Sequence, residues 1–157
     1  MADPTNSPEL ELLKKDVGDW DADVTVTPTP GAPPQVSRGR LSARLICADK
    51  WLVTDFKNHT TGFEGHGLYG YNAAAKRYVG TWVDDTRSNI YVAQGDWDAA
   101  AKTMTYHWTA SMPGGRTMAW KETTQMVSQT EQIFRSRFSL PDGGEFEMMH
   151  VVYRKVS

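Results

Sequence analysis

The sequence predicts an all-β protein, an antiparallel up-and-down barrel of about ten strands behind one short N-terminal helix. After a brief helical stripe, the apolar pattern switches to period two at Trp20 and holds it to the end of the chain. Most of the strand-like runs are separated by short turns rich in Gly, Asn, Asp and Pro. So long a meander closes most simply on itself, because closure removes exposed strand edges. A β-sandwich is the rival, but its crossovers call for longer connections.

The elements follow in order. Residues 1–8 are polar with two prolines and are expected to fray, leaving 9–157 as one barrel domain. Ser7 caps a short helix, Pro8 suits its first position, and Glu9 and Glu11 favour its positive end. Leu10, Leu13 and Val17 recur at helical spacing, and Leu12 widens the stripe. A helix this short must lie across something, and plugging one barrel mouth would serve. Gly18 and Asp19 stop it.

Trp20–Thr27 reads as the first strand, and Pro28–Pro34 is a stiff loop without ordinary ladder bonds. Ser37–Ala48 is the second strand and Trp51–Asn58 the third. Phe63–Tyr71 and Arg77–Asp84, the fourth and fifth, flank a tight Asn72–Lys76 reversal. Ser88–Asp96, Thr103–Thr109, Arg116–Val127, Thr130–Leu140 and Glu145–Val156 complete the set. Pro113-Gly114-Gly115 and Pro141-Asp142-Gly143-Gly144 are turns.

Composition narrows the class. The apolar fraction is 39%, slightly low for a solid globule, while 6 Trp, 6 Tyr and 5 Phe add bulk. A barrel with an open interior needs less apolar mass than a packed bundle. A net charge of −2 makes no electrostatic case for nucleic acid. Cys47 is the single cysteine, which fits a reducing compartment. No signal peptide and no membrane-length apolar run are visible, so a cytoplasmic protein is expected.

Alternate residues of a strand face opposite ways, so parity sorts the polar groups. In the last strand Phe146, Met148, His150 and Val152 share the face expected to point inward. Met118, Trp120, Glu122, Thr124 and Met126 share a face of the eighth strand. In the central hairpin Glu64, His66, Leu68 and Gly70 oppose Phe63, Gly65, Gly67, Tyr69 and Tyr71. Tyr78, Gly80, Trp82 and Asp84 form another set. Gly65, Gly67 and Gly70 indicate tight curvature, or aromatic rings crossing above them. A floor for a flat ligand is the functional version.

The candidate catalytic residues are Glu64, His66 and Asp84. A close Glu64–Asp84 pair would share a proton and raise one pKa, as a general acid needs. A carboxylate–His66 unit would take a substrate proton. The plain alternatives are an outward Glu64, a turn-capping Asp84 and a structurally hydrogen-bonded histidine. His150 is the expected interior ligand contact, joined by Trp82, Trp120, Met148 and Tyr71. The 4 histidines lack the spacing of a zinc motif, so no metal is expected. Cys47 follows Ile46 and is expected as a small buried residue. Arg135, Arg137, Glu122 and Glu131 read as an ion-pair network; inward arginines would instead bind a carboxylate or phosphate.

Gly18-Asp19-Trp20 after a helix looks like the Gly-x-Trp signature of lipocalin-type barrels. The resemblance implies that Trp20 packs at the closed end under a late-strand basic residue, for which Arg154 has the right alternation and Lys155 adjoins it. The wider pattern resembles a family of small, mostly bacterial proteins catalogued as domain of unknown function 1579. The residues that carry it are Gly18-x-Trp20, Phe63-Glu64-Gly65-x-Gly67, Gly70-Tyr71-Asn72, Tyr78-Val79 and Thr81-Trp82-x-Asp84. It runs from about Leu10 to Arg154 and implies a calycin-like barrel with no assigned activity. Ala73–Lys76 lacks the Thr-Gly usual in that family's turn. The barrel is also distantly similar to the nitrobindin type, where a late-strand histidine binds haem iron. His150 matches it in approximate position; apart from haem, no cofactor is implied.

The leading expectation is therefore binding of a small hydrophobic or aromatic molecule inside the barrel. The alternative is a cofactor-independent acid–base enzyme, of isomerase, cyclase or lyase type, in the same pocket. A third reading is a solid-core interaction module. No nucleic-acid or membrane partner is expected, and an outward β face would suit a homodimer.

Overall fold

The computed structural model describes residues 7–157. The helix α1 (Pro8–Lys14) precedes β1 (Gly18–Val26), β2 (Gln35–Ile46), β3 (Trp51–Asn58), β4 (Glu64–Asn72) and β5 (Arg77–Asp84). Then come β6 (Arg87–Asp98), β7 (Thr103–Met112), β8 (Arg116–Met126), β9 (Glu131–Ser139) and β10 (Glu145–Lys155). Every strand pairs antiparallel with its chain neighbour, and β10 pairs with β1, so the sheet is a closed up-and-down barrel. Residues 1–6, most of the stretch expected to fray, lie outside the described residues. Pro8 belongs to the helix.

α1 forms for local reasons. The Ser7 hydroxyl accepts from the Leu10 N–H at 3.2 Å, proline occupies the first turn, and Lys14 pairs with Glu11 at 2.7 Å. Its Leu10, Leu12 and Leu13 are buried with Tyr78 and Met104, and Tyr69, Tyr71, Trp97, Tyr106 and Met126 pack around them. The Tyr78 hydroxyl donates to the Glu9 carbonyl at 3.0 Å. The helix therefore floors one end of the barrel, as its stripe predicts. Strand alternation places the proline loop and the turns at 59–63, 85–86, 113–115 and 140–144 at the opposite mouth.

Trp20, 1% exposed, seals the floor, and its indole N–H donates to the Asp16 carbonyl at 2.9 Å. Lys155 is the cation over its ring, 5.6 Å from the centroid. Arg154 is not: it pairs outward with Asp23 at 2.7 Å. Trp20 and Lys155 are register partners across β1 and β10, so their side chains share a face that Arg154 does not.

The glycines make room for rings. An added Cβ at Gly65 would overlap the Trp82 indole, and one at Gly80 would lie 2.7 Å from the Tyr69 ring. The crossing-aromatics version of the glycine reading thus holds on the inner face. Gly70 does the same outside, under Trp51.

Two expectations fail at chain irregularities. β2 ends at Ile46, and Cys47, Ala48 and Asp49 all take positive φ in the following turn. Cys47 is consequently exposed rather than buried in a strand. In β10 a bulge lies between Glu147 and Met149. It inserts one residue and flips the parity beyond it.

Candidate functional site

The bulge decides what lines the interior. Phe146 faces inward opposite Phe138, but beyond the bulge Met149, Val151 and Tyr153 are the inward residues. Val151 is 2% exposed and packs with Ala22, Val24 and Phe56. His150 and Val152 therefore stand on the outer wall, where His150 neighbours Thr25 and Arg135, and Met148 falls in the bulge. The expectation of an inward His150 is corrected here, and with it the geometric basis for haem ligation by that residue.

The catalytic candidates divide between two faces. Glu64 and His66 are on the outside. His66 Nδ1 lies 2.7 Å from Asp55 Oδ1, and its Nε2 lies 3.0 Å from Glu64 Oε1. The Asp55 contact first, and the Glu64 contact second, raise the His66 pKa above its usual value. Hydrogen bonding to His66, helped by Lys57, holds the Glu64 carboxyl below its usual range, the wrong direction for a general acid. Asp84 is at the mouth. It accepts from the Trp82 indole at 3.0 Å and from the Thr86 N–H at 3.0 Å. It caps the turn and orients a tryptophan, and the Glu64–Asp84 pair does not form.

The ion-pair network also rearranges. Arg135 and Arg137 face outward and converge on Glu147, at 3.3 and 3.6 Å. Glu122 is not part of it. Its register partner on β7 is Tyr106, an interior residue, so Glu122 points into the barrel. Protein surrounds the carboxyl, and that burial raises its pKa to about 7. The polar groups near the carboxyl that oppose the rise are Trp120, then Trp108 and Ser136. Trp120 Nε1 donates to Glu122 Oε1 at 3.1 Å. Trp108 Nε1 does not reach hydrogen-bond geometry and is, among the described residues, the buried side-chain polar atom without a partner. Burial, followed by the charge of Glu122, raises the pKa values of the Tyr69 and Tyr153 hydroxyls.

Aromatic rings surround this carboxyl. Trp108 and Trp120 stack at 6.2 Å, Trp120 stacks on Phe138 at 5.9 Å, and Tyr69 meets Tyr106 at 5.4 Å. Tyr71 lies lower, against Tyr78 at 4.9 Å, in the cluster that the helix covers. Of the expected ligand contacts, Trp82 and Trp120 share the upper interior, packed on the cluster of Tyr91, Ala93, Trp108 and Ala110.

Trp82, Trp120, Phe134, Met149 and Tyr153 face inward and are only partly buried. Inside a closed ring of strands, such surface is reached through internal space or the mouth. Two grooves, of about 580 and 640 Å³, lie at the closed end, one along α1 and the other between Lys15, Trp97, Met126 and Gln132, and neither is lined by Glu122.

Glu122 was legible as one carboxylate on a face otherwise made of Met118, Trp120, Thr124 and Met126. The nearby Arg135 and Arg137 concealed it by offering a surface pairing.

The model of a family described as "Protein of unknown function (DUF1579)" matches residues 5–155. No curated protein matches the chain. Among solved structures, Rv2717c from M. tuberculosis superposes with a TM-score of 0.68 at 10% identity, covering 96% of this chain and 99% of that one. A redesigned β-barrel gives 0.41 at 14% identity, covering 97% and 98%. A protein of unknown function from the DUF3598 family of Nostoc punctiforme gives 0.31 at 6% identity, covering 96% and 100%. The first likeness is one of fold.

Proposed function

The chain belongs to the family of unknown function DUF1579, and from that premise we propose that it binds a small hydrophobic or aromatic molecule inside its barrel. The observation that carries this reading is the set of inward aromatic residues, Trp82, Trp120 and Tyr153 among them, that keep water-reachable surface within a closed strand ring. Ligand sites are typically apolar and aromatic with a few placed polar groups, and Glu122 with the Trp108 and Trp120 indoles supplies those groups. Cys47, single and exposed, suits a reducing compartment such as the cytoplasm. Among the described residues no helix is long and apolar enough to cross a membrane.

Titration with benzyl alcohol, a small neutral aromatic, tests the reading. The indole N–H resonances of Trp82, Trp108 and Trp120 should shift together, while that of Trp51 on the outer wall stays put. Absence of shifts, or a shift of Trp51 alone, overturns it.

A second reading has its own support. A carboxyl with a pKa of about 7 is poised to accept and return a proton at neutral pH. An acid–base enzyme in this pocket would therefore use Glu122, in place of Glu64, His66 and Asp84.

A further inference from the structure

The charge distribution inside the barrel is one-sided. Glu122 is the carboxyl at mid-barrel, opposite Tyr106 in the register. No described lysine or arginine shares its level. Lys155 lies at the floor over Trp20, and Arg87 and Arg116 are exposed at the mouth. The other strand arginines and lysines with acidic partners pair on the outer wall: Arg38 with Asp23, Arg40 with Asp21, Arg44 with Asp55, Lys57 with Glu64, Lys121 with Glu145. The interior therefore holds a carboxyl without a protein cation, ringed by π-faces.

We propose that this site selects a small aromatic amine, with the ammonium group against the Glu122 carboxylate and among the rings of Tyr69, Tyr106, Trp108 and Trp120. The proposal rests on the interior-binding reading and deepens it. The chemistry is complementary on each side. An ammonium supplies the counter-charge that the protein withholds, through charge-assisted hydrogen bonds. Tryptophan and tyrosine faces attract a cation, more strongly where water is excluded. A bound cation also holds Glu122 as carboxylate, the form that indole N–H donors favour. That matters here because Trp108 Nε1 is buried without a partner, an expensive state that an anionic neighbour relieves. An aromatic carboxylate would meet like charge and no cation at this level.

The test compares benzylamine, benzyl alcohol and benzoate, which are close in size and differ in charge, by titrating the tryptophan indole resonances of the full chain. Benzylamine should bind at least about tenfold tighter than benzyl alcohol, with benzoate weakest. In Glu122→Gln the amine advantage should vanish while benzyl alcohol still binds. Asp21→Asn, on the outer wall where Asp21 pairs with Arg40, should leave the advantage intact. Equal binding of amine and alcohol by the wild type overturns the proposal, as does an advantage that survives Glu122→Gln or disappears in Asp21→Asn. The wild-type ranking decides the matter even if Glu122→Gln does not fold. If none of the probes binds, the interior-site reading fails and the selectivity falls with it. If the alcohol binds without an amine advantage, only the selectivity fails.

Discussion

Trp120 and Glu122 sit two residues apart on the inward face of β8, and the Trp120 indole donates to the Glu122 carboxyl at 3.1 Å. Hydrogen bonding from Trp120, with Trp108 and Ser136 close by, does not offset the loss of water around the carboxyl. Its pKa therefore stays raised, at about 7, despite the hydrogen bond.

Glu122 should make the protein less stable as pH rises. Its folded pKa is about 7 against an ordinary 4.5, so between those values the folded state holds the proton that the unfolded state has lost. By linkage its contribution is intact below pH 4.5, falls through that window and levels off above about pH 7, a loss on the order of 3 kcal/mol. Asp16, raised from 3.8 to about 6, acts in the same direction at lower pH. Urea denaturation across pH should show Glu122→Gln more stable than wild type at pH 8 and equal to it near pH 4. A wild-type advantage at pH 8 counts against the buried placement.

His66 should titrate above its ordinary 6.5, because Asp55 and Glu64 both favour its charged form. The stabilisation this brings is complete below 6.5 and is lost as pH rises through the folded value. Imidazole proton shifts followed by NMR should show Asp55→Asn lowering the midpoint more than Glu64→Gln, since the Asp55 contact is the larger cause. A wild-type midpoint at or below 6.5 would contradict the outer arrangement.

Gly65→Ala should destabilise the barrel by about 1–3 kcal/mol, because the new methyl enters the space of the Trp82 ring. Combining it with Trp82→Leu should cost less than the sum of the single changes, as expected for residues in contact. Additive costs in chemical denaturation would show that the ring does not lie over this glycine.

Much of the fold was legible from local rules. Period-two alternation, turn residues and the Ser7-Pro8 helix start act through neighbours in the chain, and they predict the strand order and the covered end. Parity also grouped Met118, Trp120, Glu122, Thr124 and Met126 correctly. It could not say which group faces inward, because an inward face is defined only by strands far along the chain. Nor could it register the bulge between Glu147 and Met149, which moved His150 outside and Tyr153 inside.

The sequence by itself determined a closed antiparallel barrel with a helix across one end, since alternation and short turns admit few other ways to bury these apolar faces. Tertiary structure alone decided its chemistry. Closure set Glu122 among rings, and the outward turn of Arg135 and Arg137 left it without a cation. The β1–β10 register placed Lys155, not Arg154, over Trp20. The physical reason is the same throughout: the charge state and partners of a side chain depend on what the fold brings within a few ångströms, and local pattern carries no record of that.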